Sequence, residues 1–193
     1  MKPEYSIWLL PEAVLERTLQ RTISELAIVQ GESAFFPHVT LQGDLCRSLE
    51  ELSGPVAGMA RDLPAQRWRV RAVECGDHFF RCLYLRFDAD AALAALQDRV
   101  RAFTGTADGL SPFPHLSLAY GTVADAMRRA RDELAQSFTA REIVFDRIAL
   151  VRSSKDVFVG DPGPTNTEGS FSRQEITSSP YPEPPSAPST PAT

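Results

Sequence analysis

Phe36-Pro37-His38-Val39-Thr40-Leu41 recurs later in the chain as Phe113-Pro114-His115-Leu116-Ser117-Leu118. In both copies apolar residues alternate with the histidine and the hydroxyl residue. That is a strand pattern, in which residues i and i+2 share a face. Each copy therefore offers one imidazole and one hydroxyl on the same side of a strand: His38 with Thr40, and His115 with Ser117. The chain has 3 histidines in all, and two of them sit in this repeat. A single His-x-Ser/Thr carries no information, whereas two copies in matching Phe-Pro-His-apolar-hydroxyl-Leu contexts point to a duplicated unit whose copies face one cleft.

Outward from the repeat, the pattern reads as alternating strands and helices. Tyr5 to Leu10 is aromatic and β-branched enough for a strand. Pro11 and Glu12 open a helix carrying Val14, Leu15, Leu19, Ile23, Leu26 and Ala27 at helical spacing, and Gly31 ends it. Val39 to Leu41 is the strand of the first motif. Leu45 to Arg61 reads as an amphipathic helix, weakened by Gly54, Pro55 and Gly58. Gln66 to Glu74 is a strand whose Arg67, Arg69 and Arg71 form a solvated face. Gly76-Asp77 turns the chain, Phe79 to Phe87 returns as a strand, and Ala89 to Phe103 is a helix. After a loop from Gly105 to Pro112, Phe113 to Tyr120 is the strand of the second motif. Ala124 to Gln136 is a helix and Glu142 to Arg152 a strand, with Val157 to Gly160 extending a final hairpin. The predicted fold is α+β: two similar lobes related by pseudo-symmetric duplication, antiparallel-rich sheets flanking a central cleft, motif strands central and helices outside.

At 193 residues, 43% of them apolar, the chain is long enough for one core-forming domain built of two halves. The domain is expected over residues 1–160. Residues 161–193, rich in Pro, Ser and Thr, are expected to be a disordered, solvated tail. The formal net charge of −5 gives no general attraction to a polynucleotide or an anionic membrane. Cys46, Cys75 and Cys82 fit neither a disulfide framework nor a zinc spacing. Reduced thiols in a monomeric, cytoplasmic protein are expected. No signal peptide or membrane-spanning run is evident.

Two histidines across a cleft suit the opening of a cyclic phosphodiester on a ribose. One neutral imidazole takes a proton from water, and a protonated imidazole on the opposite side protonates the leaving ribose oxygen. Equatorial phosphate oxygens carry charge throughout and call for donors such as the Thr40 and Ser117 hydroxyls. There is no carboxylate cluster and no His/Cys ligand spacing, so no metal or other cofactor is expected.

The paired motifs resemble those of the two-histidine phosphoesterase superfamily. Further features look like its plant and yeast cyclic phosphodiesterase branch: Tyr5-Ser6-Ile7-Trp8 followed by Pro11, Phe79-Phe80-Arg81-Cys82, and His115-Leu116-Ser117-Leu118-Ala119-Tyr120-Gly121. The resemblance runs from Tyr5 to Gly160. It implies a two-lobed fold around a water-filled cleft, with His38 and His115 as the catalytic pair and Thr40 and Ser117 binding phosphate. Tyr120 is implied as a further phosphate ligand, although on a regular strand it lies opposite Ser117 and reaches the cleft only through a strand end or bulge at Gly121. The implied substrates are nucleoside 2′,3′-cyclic phosphates, opened to 2′-phosphates, and ADP-ribose 1″,2″-cyclic phosphate. The competing readings are an RNA-end-processing or 2′-5′ ligase-type enzyme and a non-catalytic nucleotide-binding protein. Trp8 and Phe79 are expected in the core, and His78 as a solvated turn residue.

Overall fold

Both motif segments form strands in the computed structural model, which describes residues 4–153 and 177–178. The order is β1 (Glu4–Pro11), α1 (Ala13–Gln30), β2 (Val39–Leu45), α2 (Leu49–Asp62), β3 (Gln66–Cys75), a 3₁₀ turn (Phe79–Arg81), β4 (Leu83–Phe87), α3 (Asp90–Thr104), β5 (His115–Ala119), α4 (Asp125–Phe138), β6 (Glu142–Ser153) and β7 (Thr177–Ser178). The first ten helices and strands are two copies of one strand-helix-strand-helix-strand unit. β1, α1, β2, α2 and β3 correspond to β4, α3, β5, α4 and β6.

Hydrogen bonding runs β2-β1-β6-β3-β4-β5, with every pairing antiparallel. The third strand of each unit has left its own half. β6 pairs with β1, and β3 pairs with β4. β3 and β6 then meet through Gln66–Arg69 and Glu142–Phe145, which joins the two lobes. The motif strands are therefore the end strands of the hydrogen-bonded order and not its centre. They are central to the molecule because the two ends approach each other, bridged at Gln42 and Leu110. Exchange continues in the helices: α1 packs on β5 and α3 on β2.

The alternation sends Val39, Leu41, Leu116 and Leu118 into the core at 0% exposure, joined by Ile7, Leu19, Leu52, Phe87 and Phe145. Each such side chain contributes about 1.5–3 kcal/mol by leaving water. His38, Thr40, His115 and Ser117 are left on the opposite face.

Several boundaries differ from the sequence reading. Pro11 ends β1, paired with Phe145, and does not open α1, and β2 runs on to Leu45. Three further differences have a local cause. α2 begins at Leu49 and not Leu45, because Ser48 caps it: its hydroxyl accepts from Glu51 N–H, and the Glu51 carboxylate accepts from Ser48 N–H. Phe79 to Phe87 is not one strand. Phe80 N–H donates to His78 Nδ1 and Arg81 N–H to the His78 carbonyl, closing a turn before β4. β5 begins at His115, because Pro114 has no N–H to give the ladder. Thr177–Ser178, inside the segment expected to be tail, pairs with Ala149 and Leu150 on the edge of β6 that β3 leaves uncovered. The hairpin expected at Val157 to Gly160 and the rest of the tail lie outside the described residues. No described helix is long and apolar enough to cross a membrane.

Candidate active site

His38, Thr40, His115, Ser117 and Tyr120 all line one cleft of about 270 Å³, together with Asp44, His78, Phe80, Arg81, Ser111 and the chain from Gly109 to Pro112. The two motifs hold their imidazoles in the same way. His38 Nδ1 lies 2.6 Å from the Phe36 carbonyl, and His115 Nδ1 lies 2.9 Å from the Phe113 carbonyl. A carbonyl only accepts, so Nδ1 carries the proton in both rings and Nε2 is left for chemistry. The Phe-Pro-His spelling of each motif thus supplies the orienting group two residues before the ring.

Each ring is also braced by an aromatic residue from the neighbouring strand. Trp8 pairs with Thr40 in register and stacks on His38 at 3.7 Å and 11°. Tyr84 pairs with Ser117 in register and meets His115 edge-on at 5.8 Å. Trp8 and Tyr84 occupy corresponding places in the two units, and the matching runs Ile7-Trp8-Leu9 and Leu83-Tyr84-Leu85 are the sequence signal for that role. Trp8 is half-buried against Leu10, Ala149 and Val151, so it packs as expected while one face serves His38.

The cleft disfavours positive charge. Burial lowers His38 from 6.5 to about 4, with repulsion from His115 adding to it and the Phe36 carbonyl opposing it. Burial likewise lowers His115 to about 4, reinforced by the charges of Arg81, Arg86 and His78. With nothing bound, both imidazoles are neutral at pH 7.

The two hydroxyls differ. Thr40 is half-buried with no hydrogen-bond partner among the described residues. Ser117 donates to the Phe80 carbonyl at 2.7 Å and must turn from it to meet a ligand. Tyr120 reaches the cleft because β5 ends at Ala119 and Gly121 adopts φ +115. Gln30 secures this bend, its amide donating to the Thr122 carbonyl at 2.8 Å and the Tyr120 carbonyl at 3.4 Å. Tyr120 stacks on Phe35 at 3.7 Å, and burial raises its hydroxyl pKa.

Sequence reading missed the fastening of the two lobes. Gln42, at 0% exposure, donates to the Thr106 and Asp108 carbonyls at 3.0 and 2.7 Å and accepts from the Thr104 hydroxyl at 3.0 Å. Gln97 reaches the Leu41 and Ser111 carbonyls. Gly43 N–H donates to the Gly109 carbonyl at 2.8 Å. These bonds tie the loop before the second motif to the strand of the first. Ser111 ends that loop 3.4 Å from His115 Nδ1, its hydroxyl donating to the Phe113 carbonyl at 3.1 Å. His78 is the exposed turn residue expected, capping the turn after β3, and it also lines the cleft. Arg67, Arg69 and Arg71 are exposed, Arg67 pairing with Glu142.

The family model described as the 2′-5′ RNA ligase superfamily matches residues 15–157, a span that contains both motifs and their cleft. The chain belongs to the 2′-5′ RNA ligase superfamily. That superfamily is one of two-histidine phosphoesterases. TT0787 of Thermus thermophilus shares its fold at TM-score 0.52 and 18% identity, over 78% of this chain and 88% of that one. LigT of E. coli, without ligand, gives TM-score 0.48 and 14% identity over 93% and 95% of the two chains. Usb1 of Kluyveromyces marxianus gives 0.43 and 11% over 77% and 93%. Comparison with curated protein sequences gives no match.

Proposed function

We propose that this superfamily member is a metal-independent cyclic phosphodiesterase that opens nucleoside 2′,3′-cyclic phosphates to 2′-phosphates. The observation that carries the reading is the matched pair of imidazoles in one cleft, each with Nδ1 committed to a backbone carbonyl and Nε2 left over. The cleft, at about 270 Å³, lies just below the roughly 300–1,000 Å³ of drug-sized ligand sites. A ribose and its cyclic phosphate fit that scale, with the base at the mouth.

In the proposed reaction, one neutral imidazole accepts a proton at Nε2 from a water molecule as the water oxygen bonds to phosphorus. The bond between phosphorus and the 3′ oxygen breaks, and the other imidazole, protonated, gives its Nε2 proton to that oxygen. The site ends with its two protonation states exchanged. Thr40, and Ser117 once it turns from Phe80, donate to the equatorial oxygens, and Tyr120 closes that side. Acid and base are both protein groups, so no step calls for a metal ion.

Because both imidazoles are neutral in the empty cleft, the substrate must create the acid. A phosphate anion between the rings favours an imidazolium, so binding and protonation are coupled. Incubation with 2′,3′-cyclic AMP in excess EDTA, followed by phosphorus NMR, tests the reading. Adenosine 2′-phosphate as product, lost in His115→Ala, is expected. An unchanged substrate with a folded enzyme, or turnover only on adding a divalent metal, would contradict it.

A further inference from the structure

We infer that His78 and Arg81 form a second anion subsite at the mouth of the cleft, which takes a phosphate carried on the 5′ oxygen of the substrate's ribose. The inference rests on the phosphodiesterase reading for the identity of the ribose and deepens it. Neither residue has work in the reaction derived above, where the reacting phosphate is met by the two imidazoles and by Thr40, Ser117 and Tyr120. Yet both line the same cleft beside His115 and Ser117.

Their positions are built. The turn that carries them is closed by Arg81 N–H on the His78 carbonyl at 2.8 Å and fixed to the second motif by Gly121 N–H, which donates to the Phe79 carbonyl at 2.9 Å. The Ser117 hydroxyl adds a 2.7 Å bond to the Phe80 carbonyl until it turns to the substrate. His78 Nδ1 accepts from Phe80 N–H at 3.3 Å. The ring's proton therefore sits on Nε2, which is a donor.

Arg81 has no carboxylate or carbonyl partner among the described residues. Its guanidinium lies 5.1 Å from the Phe113 ring centre, whereas Arg86, over the same ring at 4.3 Å, is paired with Asp90. Arg81 is thus an uncommitted cation beside a cleft that receives an anion, and its charge reaches His115. A guanidinium fork matches phosphate geometry. The net charge of −5 opposes a long polyanion, which favours a single phosphate over a polynucleotide chain.

The test is calorimetric binding of adenosine 2′,5′-bisphosphate and adenosine 2′-monophosphate to the full-length protein at one pH and salt. The wild type is expected to bind the bisphosphate at least about tenfold more tightly, as a charge-assisted pair implies. Arg81→Gln is expected to shrink that ratio to about threefold or less, and His78→Asn, which keeps an acceptor for Phe80 N–H, to reduce it partway. A folded Arg81→Gln protein with the wild-type ratio would overturn the subsite, as would an equal loss on both ligands. An oligoribonucleotide ending in a 2′-phosphate that binds far more tightly than the bisphosphate would overturn the single-phosphate assignment. Turnover of 2′,3′-cyclic AMP is scored separately: no turnover with the binding ratio retained rejects the reaction and leaves the subsite standing.

Discussion

Changing the pH should move kcat/KM far more than two unperturbed histidines would allow. Burial holds His38 and His115 at about 4 in the empty cleft, with repulsion from His115 adding to it at His38 and the nearby Arg81, Arg86 and His78 adding to it at His115. The working enzyme needs one neutral and one protonated ring. kcat/KM reports the free enzyme, so its reactive form is the singly protonated pair. Above both values, the population of that form falls tenfold for each pH unit gained. Between pH 5.5 and 7.5 kcat/KM is therefore expected to fall about 100-fold. kcat, which reports the complex, should be much flatter, because the bound phosphate raises the histidine it touches. Initial rates on 2′,3′-cyclic AMP at concentrations well below KM measure the first quantity, and saturating rates the second. The apparent values belong to the pair and not to one ring. A kcat/KM that is level across this interval, or that peaks between pH 6 and 7, would refute the claim that the empty cleft expels charge.

Two further perturbations test the fastening of the lobes. Gln42→Leu leaves the buried Thr104 hydroxyl only its long 3.5 Å bond to the Thr106 carbonyl and removes two bonds to the loop before the second motif, so a stability loss of about 2–4 kcal/mol by urea unfolding is expected. kcat/KM should fall as well, since that loop carries Ser111 to His115. Gly109→Ala places a methyl 2.1 Å from the Gly43 carbonyl oxygen at φ +72, so it must break the Gly43–Gly109 contact. A loss of at least about 2 kcal/mol follows, and a melting temperature equal to wild type would show that the close approach is not needed.

The repeat made the architecture legible because a strand's two-residue period and a helix's 3.6-residue period survive in the sequence without any tertiary knowledge. It also located His38, His115, Thr40 and Ser117, since a shared face follows from spacing alone. Strand exchange between the lobes was not legible: nothing in the pattern of β3 or β6 says which half's sheet it joins. The 3₁₀ turn at Phe79 escaped notice because Phe-Phe-Arg has strand composition, and a hydrogen bond from its own backbone to His78 decides otherwise. Beginning α2 at Leu45 overlooks Ser48-x-x-Glu51, a capping box in the sequence that places its start at Leu49. Gln30, Gln42 and Gln97 act through partners distant in the chain, so single-residue chemistry could not mark them. Tyr120 hung on where β5 stops, which Gly121 hinted at and Gln30 secures.

The central claim is that two histidines act as one acid–base unit. kcat/KM for 2′,3′-cyclic AMP should be measured side by side for the wild type, His38→Ala, His115→Ala and the double variant. Each single variant is expected to lose about 10²–10⁴-fold, and the double variant no more than about tenfold beyond the worse single, because removing either member already disables the unit. Near-wild-type turnover in either single variant, or a double loss equal to the product of the two single losses, would contradict the account.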